Sequence, residues 1–235
     1  MHRRAGGFAL PCVIGIGLAV ASCGSAPATQ SAPTASPTAS TVTPGSAGSV
    51  PAGYTRVGGA AQGISVAAPA SWVAVNLARE SIESAASRIG LKGISASTLV
   101  QLMESLQKQH PVIVFDVKSA QDSPRDFARN LNAYCVVSGV NDVGAAGVPL
   151  VKAEAAAGFK RLGAAKVTQR DLEIGGVPGV ETSYQLNSSS AGTIYGSQLE
   201  VLPKPDKACF VTLTVVQGQS ADNILSVAAA TAQFP

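Results

Sequence analysis

The 235-residue chain predicts an α+β domain with a single, largely antiparallel β-sheet flanked by helices. Three observations carry this. Four β-rich runs fill the last third, separated by Gly175 and Gly176, by the polar stretch 187–192 and by the Pro-rich stretch 203–206. Short polar connections between such runs mean an antiparallel meander. Helical periodicity interrupts the earlier part, and one more helical run closes the chain, so helices must lie against the sheet.

The first 50 residues stand apart. His2, Arg3 and Arg4 form a cationic start, residues 8–21 an apolar run broken by Pro11 and several glycines, and small residues crowd the junction. This is the pattern of a secretory signal peptide over residues 1–22, and the run is shorter than the roughly 20 apolar residues of a membrane span. The junction Val20, Ala21, Ser22, Cys23 resembles the bacterial lipobox. That resemblance implies cleavage between Ser22 and Cys23, a diacylglyceryl group on the Cys23 thiol, and acylation of the new amine. The competing reading is ordinary cleavage after Ala21 or Ser22 and free secretion. Two or three acyl chains anchor a protein stably where one does not. The expected location is therefore the extracytoplasmic face of the cell membrane, with the lipid anchor as the membrane contact. Cys12 lies in the apolar run and leaves with it.

From Gly24 to Val50 the chain holds only small and polar residues with Pro, and no charge. Such a segment cannot bury enough apolar surface to offset its conformational entropy. Residues 23–50 are expected to form a lipidated tether whose reach is about 3 nm. Its Ser and Thr residues beside Pro are also potential O-glycan acceptors.

Residues 51–235 suit one domain. They hold all fourteen acidic residues and all but two of the seventeen basic ones, a net charge of +1. Without a basic stripe interleaved with aromatics, nucleic acid is not an expected partner.

In order, residues 54–58 and 64–68 read as two short strands, the second stopped by Pro69 before Trp72 returns to the core. Residues 79–89 carry Ile82, Ala85, Ala86 and Ile89 at helical spacing and stop at Gly90. A second helix, capped by Ser95 or Ser97, carries Leu99, Leu102, Met103 and Leu106 and ends before Pro111. Residues 112–117 are too apolar for an exposed strand. The segment 130–137 reads as strand in its second half, where Tyr134, Val136 and Val137 are poor helix formers. Pro149 opens a helix to Leu162 with Val151, Ala155, Gly158 and Leu162 on one face. The meander strands are 166–174, 180–186, 193–202 and 208–216. Ser220 caps a final helix, 221–232, with Ile224, Val227 and Ala228 inward.

Cys135 and Cys209 remain in the domain, each in a β-type run. In an oxidising compartment an even pair is more often a disulfide, although two buried free thiols are the alternative.

Several stretches resemble a known family: GISVAAPASW from Gly63, the apolar strand at Val112, EIGGVPGVETSYQL from Glu173, and the terminal ADNILSVAAATAQF. Together they are similar to the PsbP/Mog-like α/β/α sandwich, and within it to actinobacterial lipoproteins of the LpqN and LpqT kind. The two helices expected between Trp72 and Val112 depart from that pattern. The resemblance implies a non-catalytic module.

Few catalytic groups are available. His110 is the one histidine after signal removal, and no nucleophile elbow, zinc-binding pair, phosphate loop or Cys-x-x-Cys occurs. No metal or cofactor is expected. Carboxylate-only hydrolysis needs two acids across a cleft, for which Asp116, Asp171 and Glu173 are the candidates. Three functions follow as expectations: a binding or accessory module engaging an envelope protein or wall component, a carrier of a lipid or other apolar ligand, and an unrecognised envelope hydrolase.

Overall fold

A computed structural model describes residues 48–76, 81, 84, 110–123, 127–188 and 191–235. The lipobox, with Ser22 and Cys23, and both helices expected before His110 lie outside the described residues.

Among the described residues nine strands form a two-stranded hairpin and a seven-stranded antiparallel sheet. The hairpin is β1 (Tyr54–Gly59) with β2 (Ile64–Pro69), so the sheet is not single as expected. β2 is buried along nearly its whole length because it lies over the large sheet rather than at its edge. The large sheet contains β3 (Val73–Asn76), β4 (Val112–Asp116), β5 (Arg129–Val137), β6 (Ala165–Ile174), β7 (Val177–Ser188), β8 (Gly192–Lys204) and β9 (Lys207–Val216). Its spatial order is β3-β4-β5-β9-β8-β7-β6. The meander of the last third is present as expected. β9 joins it to the earlier strands by pairing with β5.

Cys135 and Cys209 face each other directly in that pairing and form a disulfide. It closes a loop of 74 residues, a constraint on the unfolded chain of about 4 kcal/mol in the entropic account.

Among the described residues three α-helices accompany the sheet: α1 (Val117–Gln121), α2 (Val148–Arg161) and α3 (Ile224–Thr231). α1 replaces the end of the expected strand. The Asp116 side chain accepts from the Ser119 amide and caps the first turn, which overrides the β preference of Val117. In α2 the inward face is Val151, Ala155, Gly158 and Phe159, and Leu162 is 40% exposed just past the helix end. α3 starts later than expected, at Ile224, because Ser220 caps the preceding turn by accepting from the Asp222 amide. β5 runs the full length from Arg129, since β4 and β9 pair along both its sides.

Side-chain alternation gives the sheet two unlike faces. On one, Leu131, Ala133, Leu199, Val201, Cys209, Val211, Leu213 and Val215 pack against the β1–β2 hairpin and α3. On the other, α2 sets Phe159 on the Tyr184 ring at 4.1 Å between centroids, while Tyr134 stacks on Phe210 at 5.2 Å. Strand β6 forms one sheet edge. It carries a register shift between Ala165 and Thr168 at a left-handed Lys166, φ 52°, and exposes Lys166, Arg170, Asp171 and Glu173.

Gly196 lies opposite Tyr184 on β8, and a Cβ there would fall inside the Tyr184 ring. Gly196→Val is expected to push that ring off Phe159 and to lower stability by about 1–3 kcal/mol in chemical denaturation, the usual cost of overpacking.

Candidate functional site

Beneath α2 a polar row crosses the sheet between the Tyr134–Phe210 and Phe159–Tyr184 stacks, where the opposite face is apolar. Asn132, Thr212, Gln198, Thr182 and Gln169 lie opposite one another on β5, β9, β8, β7 and β6, a straight polar row across five strands. The first four are buried. Thr212 donates to Gln198 Oε1 at 3.3 Å, and Gln169 donates to the Lys152 carbonyl of α2 at 2.9 Å and to Thr182 Oγ1 at 3.3 Å. Burying polar groups without partners is costly, so these bonds fix where α2 sits on the sheet.

Glu200 stands one row away on the same face, between Val180 and Phe210, and is 4% exposed. Burial pushes its carboxyl up to about 8, the Gln198 side chain pulls it down by hydrogen bonding, and Glu154 of α2 adds an upward push. No salt bridge reaches it among the described residues. Near neutral pH the group therefore sits protonated in the interface between sheet and helix.

The same face opens at the N-terminal end of α2. Ala145, from a 3-10 turn at Gly144–Ala146, and Val148 oppose Leu172, Pro178 and Gly179 across an open cleft of about 400 Å³, with Asp171 and Glu173 also lining it. Gly179 must lack a Cβ here, which would stand 2.6 Å from Ile174 Cδ1 and 2.7 Å from the Glu200 carbonyl oxygen. Lys152, one turn into α2, places Nζ 2.6 Å from Asp171 Oδ1. Glu173 has neither an ion pair nor a hydrogen bond among the described residues.

Of the three acids singled out in the sequence, the structure brings Asp171 and Glu173 together and separates Asp116 from them. Asp116 lies on β4 and the other two on β6, five strand spacings across the sheet, about 24 Å at the usual interstrand distance. Paired glycosidase carboxylates stand roughly 5–9.5 Å apart. Asp116 is also committed elsewhere. Its Oδ2 accepts from Arg129 Nε at 2.9 Å and from an Arg129 terminal nitrogen at 2.6 Å. Arg129 further binds Asp222 and the Ser220 carbonyl and lies 5.5 Å from the Trp72 ring centre. His110 is exposed with φ 47°, outside both groups.

Glu200 and Lys152 were not singled out from the sequence. The alternation Gln198, Leu199, Glu200, Val201 marks one polar face of β8, but that α2 covers this face is a tertiary fact. Among the described residues, no group of three or more His, Cys, Asp or Glu could hold a metal ion, and no helix is long and apolar enough to cross a membrane. Compared with known proteins, the chain matches no family model and no curated sequence.

Asp116→Asn leaves the largely buried Arg129 without its main counter-charge, and a loss of about 3 kcal/mol is expected in denaturant titration. For Glu200 the folded value, about 8, lies above the ordinary 4.5. The folded chain then holds a proton that the unfolded chain has lost across that interval, so this group's contribution makes stability fall as pH rises from about 4.5 to about 8 and level off above. Thermal unfolding across pH 5–8.5 should show this slope reduced in Glu200→Gln, with the variant gaining more relative to the parent at pH 8 than at pH 5.

Proposed function

We propose that the protein is a lipid-anchored module of the cell envelope, held on the extracytoplasmic membrane face through Cys23, that binds a partner or wall component and does no chemistry of its own. The observation that carries the binding role is the open, apolar-walled cleft beside α2, lined on one side by Asp171 and Glu173. Concave, mostly apolar surfaces with a few placed polar groups are where ligands bind. The PsbP/Mog-like resemblance, to actinobacterial lipoproteins in particular, belongs to this proposal and agrees with a large antiparallel sheet carrying helices. The Cys135–Cys209 bridge suits an exported protein.

The full-length chain, used as bait in detergent-solubilised envelope, should retain a partner that a tether-only control does not. Recovering nothing above that control overturns the binding role. The anchor has its own test. Cys23→Ala should lose labelling by fatty-acid analogues and leave the membrane fraction, whereas continued acylation and membrane retention would remove the basis of the location.

A further inference from the structure

We infer that the cleft beside α2 recognises a primary ammonium carried on a short aliphatic stem. This rests on the reading of the protein as a binding module and names the chemistry its cleft selects.

Two features of the cleft call for different parts of one ligand. Its walls are the apolar side chains of Ala145, Val148 and Pro178, which suit a short hydrocarbon stem. Beside them Asp171 and Glu173 stand two residues apart on β6 and on the same face, opposite Val180 and Pro178 of β7. Their Cα atoms stand one strand repeat apart, about 6.8 Å.

The protein already displays the proposed contact. Lys152 reaches from α2, itself an ammonium on an aliphatic stem, and its Nζ stands 2.6 Å from Asp171 Oδ1, a charge-assisted hydrogen bond. That pair accounts for Asp171 and leaves Glu173 as the uncompensated charge of the cleft. Arg170, which precedes Asp171 on the strand, lies on the opposite face and is bonded to Glu181. A ligand ammonium completes the charge balance at Glu173 while its stem covers the apolar walls. An anion meets Glu173 unpaired, and a neutral alcohol of the same length gains the walls alone.

The test uses the acylated full-length chain, labelled with ¹⁵N and kept in detergent micelles, at constant pH and ionic strength. Titration with n-butylammonium chloride should shift the amides of Val148, Glu173 and Gly179 saturably, with n-butanol and sodium butyrate at equal concentration leaving them in place. Glu173→Gln, a change at an exposed side chain, should weaken the ammonium about tenfold. Lys152→Met, which removes the resident ammonium, should tighten it. Equal shifts with butanol, saturation at residues away from the cleft, or unchanged affinity in Glu173→Gln overturns the inference. A blocked Ala-Lys-Ala peptide distinguishes sources: tighter binding than butylammonium assigns the ammonium to a peptide side chain, and equal or weaker binding assigns it to a free amine. Failure of the ammonium with the envelope partner still retained strikes this inference alone. Loss of the partner with ammonium recognition intact strikes the proposed cellular role.

Discussion

The pairing of β5 with β9 holds this fold together. Every strand before residue 140 in the large sheet lies on one side of that seam, and every strand of the C-terminal meander lies on the other. Closing it brings together segments 74 residues apart, which costs chain entropy before any later contact compensates. The disulfide stands at that seam, so the covalent link reinforces the most non-local step of the topology. The apolar rows on either side, Leu131 and Ala133 on β5 with Val211 and Leu213 on β9, then form a continuous floor for the β1–β2 hairpin and α3.

A second centre fixes the corner where several elements meet. Arg129 begins β5, binds Asp116 at the end of β4, reaches the Ser220 carbonyl and Asp222 before α3, and lies over Trp72 before β3. Removing the acid would leave that guanidinium with the exposed Asp222 as its remaining counter-charge. The same Asp116 caps α1. A residue that looks like a candidate acid at the end of an apolar run is thus a joint between β4, β5 and α1.

The meander was legible because Gly175, Gly176 and the Pro-containing turn near Asp206 punctuate it, and because the runs between them are rich in β-branched and aromatic residues. Elements set by tertiary contact were not. β3 is four residues long and exists through its pairing with β4. α1 starts on a β-branched residue and depends on a cap. The hairpin reads like any pair of strands, and only packing separates it from the sheet. For the candidate site, Asp171 and Glu173 were visible as strand acids, but nothing in sequence spacing placed Lys152 beside them. The polar face of the sheet was visible as a pattern, yet a polar face normally meets water, and here α2 meets it with hydrogen bonds to Gln169.

Among the described residues nothing pairs with the outer flank of strand β6. Ten residues of open backbone are a template for a neighbouring copy. The register shift at Lys166 twists the start of the strand away from a flat edge, and Lys166, Arg170, Asp171 and Glu173 place charges of both signs along it. An incoming identical strand would meet like charge against like near Arg170 or Asp171 in either register centred on those residues. The edge that borders the cleft is thereby protected against pairing with a second copy of the same strand.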